Sequence, residues 1–362
     1  MKNRKLLIFV PVLWAALTLA LWFGPRTDIS DSERRPLASF PDISVKSILS
    51  GKFMEDFEDF TLDQFPARDT FRTLKSLFHY YILGQSDNNG IYLQDGYAAK
   101  LETTLNTASI SHAVNRFTHL YETCLSDSRV FMAIVPDKGY YLAESSGHPA
   151  LDYDKLFASF REKLPFAAQI DLTDTLSISD YYRTDTHWKQ ENLISVASKL
   201  AEHLGIPAPK AEDYTPVTLD RPFYGVYYGQ AALPMQPDQI TYLRSDILEN
   251  CTVYDHETGK TTSVYDLSKE TSKDLYDIFL SGAKPLLTIE NPAVTEEKEL
   301  IVFRDSFGSS LIPLLTSGYS TVTVVDIRYI GIDYLSSFMD FRGQDVLLLY
   351  STLILNSSDT LK

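Results

Sequence analysis

The sequence predicts an α/β protein built on a parallel sheet with helices on both faces. Three features carry that prediction: short, wholly apolar runs bounded by turn residues, helical periodicity between them, and an apolar run that ends in a serine ahead of a second helical stretch. Runs of this length and composition suit strands buried on both faces.

The elements follow in order. Lys2, Arg4 and Lys5 precede an uncharged apolar run over 6–23, about the length needed to cross a bilayer. Residues 1–24 are therefore expected to be a transmembrane signal anchor whose basic flank stays cytoplasmic, with everything after it outside. A cleaved signal peptide is the competing reading, and both readings export the body of the protein. The polar, proline-containing stretch 25–50 reads as an extracytoplasmic linker. In 51–84, Phe53, Phe57 and Phe60, then Phe71, Leu74, Leu77, Phe78 and Tyr81, recur at helical spacing on either side of Pro66. They predict two amphipathic helices whose aromatic stripe packs on the main domain.

That domain is expected over 85–362. It starts near Asn89 with Gly-Ile-Tyr-Leu at 90–93 and a turn at Asp95-Gly96, followed by a helix over about 109–124, a strand at 129–135, a helix over 153–164 and a strand at 168–172. After an insertion of loops and short strands over about 207–297, the alternation resumes: strand 299–303, helix 307–315, strand 321–325, helix 332–338, strand 345–350.

The composition bounds the function. With 362 residues and 44% hydrophobic content the chain forms a large core and is not disordered. A net charge of -15 excludes nucleic acid as a partner, because no Lys/Arg cluster lies outside the extreme N-terminus. Cys124 and Cys251 could form one bridge at most and are expected to be unpaired; no zinc-like spacing of His or Cys is present, so neither metal nor cofactor is expected.

Chemistry concentrates in two segments, Tyr-Arg-Thr-Asp-Thr-His-Trp at 182–188 and Phe-Arg-Asp-Ser-Phe-Gly at 303–308. Ser306 lies beyond the carboxyl end of a strand, where open parallel sheets bind ligands, and its N–H would open a helix able to favour an oxyanion. A plain N-cap is the alternative for that serine. Asp185 and His187, two residues apart in an extended stretch, would project to one side, letting the carboxylate orient the imidazole that deprotonates Ser306. A helix-capping Asp185 beside an ordinary packing histidine is the rival. Asp137 and Lys138, just past strand 129–135, and Arg304 and Arg328 at strand ends are candidates for substrate contact, with ion pairing as the alternative. Tyr224 and Tyr228, in the aromatic stretch 223–229, could stack on sugar rings or pack in a β-hairpin.

The stretches Glu-Arg-Arg-Pro-Leu-Ala-Ser-Phe-Pro at 33–41, Ser-Gly-Lys-Phe-Met-Glu-Asp-Phe at 50–57, Asp-Gln-Phe-Pro-Ala-Arg-Asp at 63–69, Asn-Asn-Gly-Ile-Tyr-Leu at 88–93 and Asp-Thr-His-Trp at 185–188 resemble the DHHW family of bacterial envelope proteins. That family is similar to the SGNH-hydrolase-like alginate O-acetylation proteins. The resemblance implies a flavodoxin-like, SGNH-type sheet and a Ser306 nucleophile with His187 as base and Asp185 as its orienter. It further implies O-acetyl transfer to an envelope or exported polysaccharide, with a multi-pass membrane acyltransferase supplying the acyl group. An esterase of the same fold and a non-catalytic glycan-binding scaffold are the alternatives. The chain departs from the better known members at Arg304-Asp305-Ser306-Phe307, where Asp305 would oppose an oxyanion unless its side chain turns away or pairs with Arg304.

Overall fold

The computed structural model describes residues 2–30 and 32–362, which fall into two compact units. One comprises the chain up to Asn89 with Tyr228–Met235; the other comprises Gly90–Tyr227 with Gln236–Lys362.

In the first unit the apolar N-terminal run lies in a single helix, Lys2–Phe23. Among the described residues no helix is long and apolar enough to cross a membrane. The two amphipathic helices form as Lys52–Asp63 and Arg68–Leu77, the latter prolonged by a wider turn over Phe78–Ile82. Their aromatic stripe divides. Phe60 is buried against Phe40 and Phe57, whereas Phe71, Leu74, Phe78 and Tyr81 are exposed. The stretches 33–41 and 63–69 meet in an ion-pair cluster. Asp63 takes both guanidinium nitrogens of Arg35, at 2.6 and 2.8 Å, and lies 3.2 Å from Arg68, which also pairs with Glu33. Arg35 holds the Asp63 carboxyl below its ordinary range, so this pair helps define the unit.

The second unit is organised by an eight-stranded sheet: β1 (Arg129–Val135), β2 (Ala167–Ile170), β3 (Thr252–Asp255), β4 (Lys260–Thr262), β5 (Leu286–Glu290), β6 (Glu299–Arg304), β7 (Thr321–Val325) and β8 (Asp345–Ser351). Their order across the sheet is β4-β3-β5-β7-β6-β8-β1-β2. The five strands from β7 to β2 are mutually parallel. Counted cyclically from β6, they run 2-1-3-4-5, the flavodoxin order. The chain thus starts that cycle at its fourth strand, and for this reason Asp185 and His187, beyond the last strand of the cycle, precede Ser306, beyond the first.

Alternation along the strands divides the core. Ala133, Val135, Val302, Leu347 and Leu349 pack with Ala197, Leu200 and Leu204 of helix Ile194–Leu204. Met132, Ile134, Ile301, Phe303, Val346 and Leu348 face Ile110 and Phe117 of helix Thr107–Leu120 and Leu156 and Phe160 of helix Tyr153–Lys163. All seven residues of β8 are buried, as a central strand covered on both faces requires.

The inserted region supplies the short strands β3, β4 and β5, which extend the parallel core antiparallel at its edge. Two local expectations differ. The helix expected over 307–315 is a single α turn, Gly308–Leu311, running into a 3-10 stretch, Ile312–Gly318, where Pro313 lacks the N–H an α-helix would use. Phe223 closes a strand, Thr215–Phe223, paired with Asp238–Arg244, but the rest of the aromatic motif leaves the hairpin for a short helix, Val226–Ala231.

Candidate active site

Ser306 sits in the turn that leaves β6, partly exposed, while Asp305 before it is fully buried. Asp305 turns away from the cleft: Oδ1 accepts the Phe307 N–H at 3.0 Å and Oδ2 accepts the Ser351 N–H at 2.7 Å. The carboxylate that could have opposed an oxyanion instead joins the ends of β6 and β8. The same bonds qualify the expected helix N-terminus. The N–H groups of Phe307, Gly308 and Ser309 are already given to Asp305 Oδ1, the Asp305 carbonyl and the Ser306 carbonyl.

Asp185 and His187 lie in a loop closed by a bridge between Tyr181 and Trp188 and by a 3.0 Å bond from the Tyr182 N–H to the His187 carbonyl. The loop is not extended as anticipated. Asp185 Oδ1 accepts the backbone N–H of His187 at 3.1 Å, an Asx turn, and that fold carries the imidazole onto the carboxylate. His187 Nδ1 then lies 2.6 Å from Asp185 Oδ1, and Nε2 lies 2.8 Å from Ser306 Oγ. A carboxylate that accepts two backbone N–H groups has no proton to give, so Nδ1–H donates to Asp185 and Nε2 is left to accept from the serine hydroxyl. His187 is 7% exposed and Asp185 fully buried, which keeps water from competing for these bonds.

Residues 176–325 match the DHHW protein family model. The matched segment contains Asp185, His187, Trp188 and Ser306. A DHHW family protein from Eubacterium siraeum has a similar structure, with TM-score 0.60 and 22% identity over 76% of this chain and 95% of that one. Bacillus cereus PatB1, solved with a sulfonyl adduct, has TM-score 0.58 and 19% identity over 75% and 97%. The O-acetyltransferase domain of Pseudomonas putida AlgJ gives TM-score 0.44 and 14% identity over 74% and 92%. The first two share the fold of this chain. No curated protein sequence matches it.

The matched segment also holds the supports of this arrangement. Gly225 donates its N–H to Thr184 Oγ1 at 2.9 Å, and Val226 donates to Asp185 Oδ2 at 2.8 Å. Asp238 takes the N–H groups of Arg183 and Thr184 and the Thr184 hydroxyl. Trp188, wholly buried, donates Nε1–H to the Phe307 carbonyl and to Ser310 Oγ, both at 3.0 Å, and so ties the histidine loop to the serine turn. A glycine among tyrosines at 225 and the tryptophan of the 185–188 motif were the visible signals; Asp238 carried none.

The other sequence candidates stand elsewhere. Asp137 is buried and caps helix Lys138–Ser146, with its oxygens taken by Gly139, Tyr153 and Thr352. Lys138 is 2% exposed and donates to the carbonyls of Tyr182 and Arg183 beneath the histidine loop. Burial lowers its ammonium to about 7 against the pull of Asp185, Asp238 and Asp137. Arg304 is fully buried, donating to the carbonyls of Gly282 and Asp305, and Arg328 is paired with Asp326. Burial and internal bonding thus correct the cleft-facing placement expected of Asp137, Lys138 and Arg304. Tyr224 is 44% exposed, while Tyr228 groups with the first unit. Cys124 and Cys251 are both free. Among the described residues no group of three or more His, Cys, Asp and Glu side chains could hold a metal ion.

Proposed function

We propose that this chain is an O-acyltransferase that uses Ser306 as nucleophile, His187 as general base and Asp185 as the group that orients and charges-balances the imidazole. The observation that supports it is the continuous relay from Ser306 Oγ to His187 Nε2 and from Nδ1 to Asp185, at 2.8 and 2.6 Å. In the first half-reaction the hydroxyl proton passes to Nε2 while Oγ bonds to the acyl carbonyl carbon. The imidazolium then protonates the leaving oxygen as its bond to carbon breaks. In the second, an acceptor hydroxyl gives its proton to Nε2 as its oxygen bonds to the acyl carbon, and the imidazolium returns that proton to Ser306 Oγ as the Oγ–acyl bond breaks. Of the serine turn's donors, the Ser306 N–H has no acceptor among the described residues and suits the oxyanion.

An acetyl group is the acyl unit we favour, and an envelope or exported polysaccharide the acceptor, on the resemblance to the alginate O-acetylation proteins. The same resemblance supports an extracytoplasmic placement, with a multi-pass membrane acyltransferase supplying the donor. Full glycan acetylation in cells lacking every such transferase would remove the partner.

The test is intact-mass spectrometry of the full chain after incubation with an activated acetyl ester, beside Ser306→Ala and His187→Ala. One acetyl gained by wild type alone supports the mechanism; release to water in place of an added sugar would make it an esterase. No adduct in folded wild type would move the reading to a glycan-binding scaffold.

A further inference from the structure

His187 does not stand in open space beside its partners. The ring of Tyr276 lies flat against the imidazole, centroids 3.9 Å apart and planes within 7°. Phe307 closes on the imidazole obliquely, at 5.0 Å and 57°. Tyr276 comes from the inserted region, in a 3-10 turn, Leu275–Ile278, whose start is fixed by Asp274 accepting the Tyr276 N–H at 3.0 Å. Its hydroxyl shares a 2.8 Å hydrogen bond with Ser310 Oγ, the atom that also receives Trp188 Nε1–H. The ring is 3% exposed, and Phe279 packs on it at 5.1 Å. Every degree of freedom that would let the ring swing away is thus taken up.

We propose that Tyr276 is a positioning residue for acyl transfer, its ring face holding the His187 imidazole in the plane that joins Ser306 to Asp185 and favouring the imidazolium. The proposal rests on the acyl-transfer reading. An aromatic face is electron-rich, so it attracts a cation more strongly than a neutral ring. The pair is parallel and close, so the imidazole lies against the ring face rather than its edge. The imidazole is neutral before reaction and cationic once Nε2 has taken the serine proton. The platform therefore interacts more strongly with the state formed in the reaction than with the resting one, which is the condition for accelerating it. The phenol itself transfers no proton: burial raises its ionisation far above neutrality.

The experiment compares full-length wild type, Tyr276→Phe and Tyr276→Leu. One readout is the rate of serine acylation by an activated acetyl ester across ester concentrations. The other is proton NMR of the His187 ring, whose protons the tyrosine face is expected to shift upfield. Tyr276→Phe keeps the ring, and is expected to keep the upfield shift and a rate within about threefold of wild type, since it loses only the hydroxyl bond. Tyr276→Leu is expected to lose the shift and to acylate about tenfold more slowly at saturating ester, with the half-saturating concentration unchanged. Tyr276→Met, also without a ring, repeats the comparison should the leucine variant fold poorly. Wild-type rates in a folded leucine or methionine variant would overturn the proposal. So would an equal loss in Tyr276→Phe, which would assign the effect to the hydroxyl bond. Absence of any adduct in wild type overturns the acyl-transfer reading and this role with it, and the NMR shift then reports the stack on its own.

Discussion

Gly225 and Asp185 are in backbone-to-backbone contact: a Cβ built on Gly225 would stand 2.2 Å from Asp185 Cβ and 2.4 Å from its Cα. No side chain fits that space. The approach lets the Val226 N–H reach Asp185 Oδ2 at 2.8 Å, so the glycine sets the carboxylate that sets the histidine. Gly225→Ala is expected to cost about 1–3 kcal/mol of stability through overpacking. Acylation of Ser306 should slow further than that loss explains, because the displaced atom is Asp185. Chemical denaturation and the acylation rate, measured together, check both parts.

Asp185→Asn retains shape and removes the charge. Its amide still bonds the imidazole, but the wrong ring nitrogen then carries the proton, and Nε2 can no longer accept from Ser306. The acylation rate should fall by roughly 10⁴, and stability by about 1–3 kcal/mol, because the new NH2 faces a buried backbone N–H that the carboxylate had accepted. Intact-mass kinetics on the purified variant would show it; a loss below tenfold would argue against the relay.

Lys138 makes stability depend on alkaline pH. Burial lowers its ionisation to about 7 from an ordinary 10.5, opposed by Asp185, Asp238 and Asp137 and aided slightly by Lys189. Between those two values the unfolded chain holds a proton that the folded chain does not, so this group makes stability rise as pH rises from about 7. That increment is lost again as pH falls through the folded value. Lys138→Met lacks it. The melting-temperature difference, wild type minus variant, should grow from pH 7 to pH 10, and a flat difference would refute the assignment.

Trp188→Phe deletes the indole N–H that serves the Phe307 carbonyl and Ser310 Oγ. The ring volume shrinks and a buried carbonyl loses its donor, for a destabilisation of about 1–3 kcal/mol. Urea denaturation measures that, and the His187–Ser306 register should loosen enough to slow acylation as well.

Much of the fold was legible in local pattern. The runs at 129–135, 299–303, 321–325 and 345–350 read as strands because strands covered on both faces are apolar throughout, and they are strands here. The Asp95-Gly96 turn was legible for a similar reason: both residues take positive φ, and the pair closes a two-residue hairpin between Gln94 and Tyr97. The inserted region was less so. Its strands Thr252–Asp255 and Leu286–Glu290 alternate weakly, and only the edge of a formed sheet gives them hydrogen-bond partners.

Local pattern carried the residue types at hand: a serine past an apolar strand, and an aspartate two residues before a histidine. That these meet follows from the assembled sheet, because β2 and β6 lie on opposite sides of β8 and β1, and pairing order is a property of the whole sheet. The packed structure also fixes which charges are buried. Asp137, Lys138 and Arg304 read as cleft residues from their strand ends, yet each side chain finds its partners inside the protein. A buried polar group must be bonded, and those bonds come from segments far away in the chain, which no local pattern records.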